Sequence, residues 1–100
     1  MAKYIQETTD EKSGLISFTI HEVEPANGHD FTLEELQQYV GGLIELVGIP
    51  DEPGKIMVVN EEFLFNGSNP NPIATAMIAR PDAPAMICGS ALVCDNEQVR

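Results

Sequence analysis

The chain has 100 residues, 43% of them hydrophobic, with sixteen acidic side chains against five basic ones and a net charge of −11. That length suits one domain with one modest core that folds without a disulfide or metal framework, and the apolar content excludes a disordered chain. The acidity excludes a direct DNA or RNA binder, because Lys3, Lys12, Lys55, Arg80 and Arg100 are scattered and the overall field repels phosphates.

The residues from Met1 to Glu7 hold no long apolar run, so no signal peptide is expected, and no stretch is long enough to span a membrane. The expected location is therefore the cytoplasm. Tyr4–Thr8 reads as a short strand and Thr9–Gly14 as a turn. Ile16, Phe18 and Ile20 then alternate with Ser17, Thr19 and His21, the period of a half-buried strand. Together they predict an N-terminal β-hairpin over about 4–23, ended by the loop Pro25-Ala26-Asn27-Gly28.

Residues 32–47 form a helix-strand unit with the clearest local signal. Thr32 and Glu35 have capping-box spacing, and Phe31 with Leu36 occupies the positions of a hydrophobic staple. Leu36, Tyr39, Val40 and Leu43 continue an apolar stripe, Gly41-Gly42 stops the helix, and Leu43–Val47 follows as a strand. After the turn at Pro50–Gly54, Ile56–Val59 is a buried strand. The run 63–79 carries no charge; its Asn-Pro-rich centre is loop, and Ile73–Ala79 is a short helix started by Pro72 and capped by Asn71. Met86–Cys94 is the last strand, with Gly89 as a bulge. These elements predict one α+β domain over 1–100. Its architecture is a small, mostly antiparallel sheet with one main helix and a second short helix packed on it.

Leu36-Gln37, Val40-Gly41-Gly42-Leu43-Ile44-Glu45-Leu46-Val47, Met57-Val58-Val59-Asn60-Glu61-Glu62, Asn71-Pro72-Ile73-Ala74-Thr75 and Ile87-Cys88-Gly89-Ser90-Ala91-Leu92-Val93 follow in one order and spacing. That series resembles the family called domain of unknown function 3846, small proteins of bacteriophages and mobile elements, over roughly Ile16 to Asp95. The resemblance implies a phage or mobile-element origin and an intracellular protein. It carries over no catalytic residues, and this chain departs from the pattern in a longer Phe63–Pro72 segment.

No constellation of reactive residues stands out. His21, Glu22, Glu24, His29 and Asp30 are ligand types without a metal-site spacing, and read as a solvated hairpin end. Cys88 and Cys94 on one strand are about 20 Å apart at ~3.3 Å per residue, too far for a disulfide, so both are expected as buried, inert thiols. Neither a cofactor nor a metal is implied, and no enzymatic activity is expected.

The best candidate ligand site is the neutral segment. Asn66, Ser68, Asn69, Asn71 and Thr75 offer hydrogen-bonding groups where an anion meets the least repulsion, and Arg80 adds a fork suited to phosphate. The alternative is a neutral loop over the core. Gly41 and Gly42 can border a pocket or let the helix pack tightly on the sheet. Glu45, alone in an apolar strand, can meet ribose hydroxyls, pair with one of the few cations or sit at an edge. The leading expectation is a non-enzymatic, homo-oligomeric anti-defence protein that sequesters a nucleotide-derived immune signal, of cyclic nucleotide or cyclic ADP-ribose type. The alternatives are an acidic inhibitor or DNA mimic of a host defence protein, and an accessory phage protein with no defence role. A direct nucleic-acid or membrane partner is not expected.

Overall fold

The computed structural model describes residues 2–62, 67–78 and 86–99. Its elements are β1 (Ala2–Thr9), β2 (Ile16–Val23), α1 (Leu33–Val40), β3 (Ile44–Gly48), β4 (Lys55–Asn60), α2 (Pro72–Ile78) and β5 (Ala91–Asp95). The strands form one sheet in the order β2-β1-β5-β4-β3, with every pairing antiparallel. This is the expected α+β architecture. The two hairpins, β1-β2 and β3-β4, flank the C-terminal strand, which is inserted between them.

Side chains alternate across the sheet, so each strand serves two cores. Val58, Leu92 and Cys94 face α1, where they meet Phe31, Leu36 and Val40. Met57, Val59, Ala91 and Val93 face the other way, against Ala74 and Ile78 of α2 and against Ile5 and Ile87. One helix thus covers each face. β4 and β5 read as near-continuous apolar runs because they are buried on both sides.

Local chemistry sets the helix ends. Thr32 Oγ1 accepts from the Glu35 amide at 3.2 Å, and Glu35 Oε1 accepts from the Thr32 amide at 3.0 Å, which completes the capping box. Phe31 and Leu36 are both fully buried in one cluster, as a staple requires. Gly41 ends the helix at φ 80°, a conformation that a side chain disfavours, and returns its amide to the Gln37 carbonyl. Asn71 caps α2 by accepting from the Ala74 amide at 3.0 Å.

Three details differ from the sequence reading. Ile16 and Ile20 of β2 are 37% and 53% exposed, because β2 is an edge strand and α2 rests over the centre of the sheet. The last strand begins only at Ala91. Gly89, at φ 81°, is a turn into that strand and not a bulge within it, and Cys88 before it bridges to Pro70. The two cysteines therefore do not share a strand, although both are buried and free as expected.

Asn71 is fully buried and also donates to the Gly89 carbonyl at 2.8 Å, so it ties α2 to the approach of β5. Asn71→Ala would leave the Gly89 carbonyl and the Ala74 amide without this partner. Urea unfolding should show a loss of about 1–3 kcal/mol, with native circular dichroism at low denaturant.

Candidate functional site

The residues picked out by the sequence gather at one end of the sheet, in two groups. Register places them there: Ile44 pairs with Asn60, Val58 with Leu92 and Ile5 with Ala91. In the first group, the Asn69 amide donates to Glu7 Oε1 at 3.0 Å, and the Asn69 carbonyl accepts from Gly89. Thr75 Oγ1 accepts from the Ile87 amide at 2.9 Å. A side chain at Gly89 would meet Ser68 Oγ at 2.9 Å, so the segment and the β5 approach are in close contact there. Asn71 and Thr75 are thus engaged within the chain. Asn66 and Arg80 lie outside the described residues.

The second group surrounds the end of α1. A Cβ at Gly42 would lie 3.0 Å from Asn60 Nδ2. Asn60 is buried, donates to the Val40 carbonyl at 3.1 Å and accepts from the Glu62 amide at 2.7 Å. The small residue therefore lets a strand-borne amide reach the last turn of the helix, which is the tight-packing reading of Gly41-Gly42. Glu45 sits exposed on the outer strand β3, paired with Val59.

A groove of about 480 Å³ lies elsewhere, between α1 and the start of β1, lined by Tyr4, Ala26, Glu35, Gln38 and Tyr39. The capping box orients its acidic wall: Glu35 Oε2 accepts from the Ala26 amide at 3.0 Å, while Oε1 serves Thr32. Tyr4 donates its hydroxyl to the Tyr39 carbonyl at 2.7 Å, and the two rings lie 4.8 Å apart at 58°. Phe31 supports Tyr39 edge-on at 6.0 Å, and His21 stands 6.4 Å from Tyr4. Burial first, and the Glu35 charge second, raise the Tyr39 phenol above its ordinary value of 10.0, so it stays a neutral donor. The groove offers aromatic surface, a carboxamide and a carboxylate held by backbone amides. Such a set can hold a flat ring and bond to its edge.

Sequence reasoning missed this groove. Its one available signal was that Tyr4 and Tyr39 are the only tyrosines. A second cleft of about 430 Å³ is lined by Gly48, Ile49, Pro50, Pro53, Lys55, Ile56 and Asn96. There Lys55 Nζ pairs with Asp95 at 3.0 Å, and that partner holds the Asp95 carboxyl below its usual range. Among the described residues no group of three metal-ligating side chains is assembled, and no helix is long and apolar enough to cross a membrane. His29, from the sequence cluster, lies in a turn where its amide donates to Asn27 Oδ1.

A five-stranded sheet with one helix on each face, and a groove on the α1 side, defines a small α+β protein. The chain belongs to the family described as Domain of unknown function (DUF3846), whose model matches residues 16–99. No curated protein and no solved structure matches the chain.

Cys94 is fully buried in β5. That burial, with the neighbouring Asp95 charge second, pushes its thiol from 9.0 up to about 11. As pH rises the unfolded chain ionises this thiol first. The stability due to keeping it protonated is therefore full below pH 9 and is lost progressively between 9 and 11. Cys94→Ala should flatten that part of the stability–pH curve, measured by urea unfolding at stepped pH. The native thiol should react with an aromatic disulfide reagent only as the chain unfolds.

Proposed function

We propose that this protein is a non-enzymatic binder that sequesters a nucleotide-derived small molecule, with the base seated in the Tyr4–Tyr39 groove. The observation that carries the reading is the groove itself: two tyrosine rings and Gln38 around a space of about 480 Å³, within the range of small-ligand pockets. A base can stack on the tyrosines while Gln38 and the carboxylate of Glu35 meet its edge. Phosphate belongs outside, because Glu35 and the net charge of −11 oppose an anion within the groove. Ligands with few or internally spread charges, such as cyclic ADP-ribose types, suit that field better than open nucleotide triphosphates. In a small phage or mobile-element protein, such binding would serve anti-defence by withdrawing an immune signal in the host cytoplasm.

Calorimetry against a panel of nucleosides, cyclic nucleotides and cyclic ADP-ribose species tests the reading. One or more should bind. Tyr39→Ala should weaken that binding about tenfold or more, the value of one lost base–aromatic stack of roughly 1–3 kcal/mol, and Tyr39→Phe should retain most of it. Absence of heat across the panel removes the basis of the proposal.

A second reading is favoured by the exposure of Glu22, Glu24, Glu34, Glu45, Asp51, Glu52, Glu61, Glu62 and Glu97. Such a surface suits an acidic inhibitor that covers a basic site on a host defence protein. That complex should weaken steeply as salt rises, and a salt-insensitive one would count against it.

A further inference from the structure

The Tyr4–Tyr39 groove is more selective than a slot for any flat ring. Its two rings lie 4.8 Å apart at 58°, so they make a corner and not a parallel clamp. A flat ligand against one ring therefore turns its edge to the face of the other. Aromatic faces are negative and attract positive charge. Both rings are held within the chain: Tyr4 by its hydroxyl on the Tyr39 carbonyl at 2.7 Å, and Tyr39 by the buried Phe31 at 6.0 Å.

The charge on the groove wall has one sign. Glu35 lines the groove half-buried, where a charge acts more strongly than in bulk water. The Thr32 and Ala26 amides fix its carboxylate there. The Tyr39 phenol registers the field: burial first, then the charges of Glu35 and Tyr4, hold it above its ordinary value. Lys3 adjoins Tyr4 in sequence, but alternation along β1 sends it to the opposite face, beside Met77 and Val93. His21, 6.4 Å from Tyr4, is exposed, and its Nε2 is engaged with the Thr19 hydroxyl at 3.0 Å. Among the described residues lining the groove none is a cation.

Given a nucleotide-derived ligand in this groove, on which the inference rests, we propose that its ring is cationic: an N-alkylated heterocycle of the purine or pyridinium class. It sits in the Tyr4–Tyr39 corner with its positive charge toward Glu35. A neutral base gains stacking alone, whereas an alkylated ring adds attraction to the aromatic faces and to the carboxylate. Alkylation also removes a ring-nitrogen acceptor, and the N–H groups left on the edge suit the Gln38 carboxamide oxygen. A bare ammonium head would fill a small part of about 480 Å³, while a ring with its sugar suits that size. A nucleotide cyclised through N1 of adenine carries such a charge on its base at neutral pH, so the class includes ligands that offset their own phosphates.

Calorimetry at neutral pH on matched pairs tests this: N1-methyladenosine against adenosine, and N1-methylnicotinamide against nicotinamide. Each cation should bind about tenfold or more tightly than its neutral parent. Glu35→Gln removes the charge but keeps a residue that can complete a capping box. It should retain native circular dichroism and bring each pair to within about threefold. Glu34→Gln, the same charge change at the exposed neighbouring position, should leave the preference intact. Equal binding of cation and parent overturns the proposal and leaves the nucleotide-binding reading standing. So does a preference that survives Glu35→Gln, which would belong to the methyl group and not to the charge. Choline binding as tightly as N1-methyladenosine also overturns it, in favour of a bare ammonium site. Absence of heat from all of these probes and from the nucleotide panel removes both readings.

Discussion

The insertion of β5 between β1 and β4 is the constraint on which the rest of the structure depends. Among the described strands it alone joins the two hairpins, through Lys3, Tyr4 and Ile5 on one side and Lys55 to Val58 on the other. Ala91, Leu92, Val93 and Cys94 are all buried, so this one strand feeds the cores on both faces. Without it, each hairpin would be left with an apolar surface and no sheet to complete, and isolated hairpins are marginal in water. Because β5 is last in the chain and pairs with the first strand, closure brings together positions some ninety residues apart. The hairpins can form locally, but the fold is complete only when its final strand enters.

How the chain protects that insertion explains features that look unrelated in sequence. The buried approach to β5 is held by neutral groups, Asn71 on the Gly89 carbonyl, Thr75 on Ile87 and the Ser90 hydroxyl on the Glu7 amide, with the Glu7 carboxylate on the Asn69 amide at its part-exposed margin. Its far end is held by charge, where Lys55 meets Asp95 at a partly exposed position. The division follows from solvation. A buried charge costs far more than a buried amide with its hydrogen bonds made, so carboxamides and hydroxyls serve the inner end, and an ion pair is affordable only at the surface.

Local features were legible in the sequence because local chemistry decides them. Thr32 and Glu35 make their reciprocal bonds within one turn, Gly41 takes the left-handed conformation that ends α1, and Asn71 with Pro72 starts α2. Long-range facts were not legible. The alternation of Ile16, Phe18 and Ile20 is the same whether or not a helix covers them, and only the placement of α2 leaves them open. The Tyr4–Tyr39 groove was likewise hidden, since its two rings are separated by thirty-five positions and meet only because α1, packed over β4 and β5, brings Tyr39 beside Tyr4 of β1. Of the residues proposed from sequence to bind a ligand, Ser68, Asn69, Asn71, Thr75, Gly41, Gly42 and Glu45 fall together at one sheet end, while Asn66 and Arg80 lie outside the described residues.

The neutrality of the segment around Asn71 therefore has a cause that does not depend on a ligand. A charged side chain at Asn71 would sit in full burial between α2 and the β5 approach, and one at Asn60 would sit under the end of α1. Both positions need a group that donates and accepts at once, which a carboxamide does and a carboxylate or ammonium does not. Among the described residues most acidic side chains stand at exposed positions, where water screens them. The groove at Tyr4 and Tyr39 is set apart from both positions: it is walled by one carboxylate whose place is fixed by the helix cap. Its electrostatics oppose an anion, and its walls include two tyrosine rings.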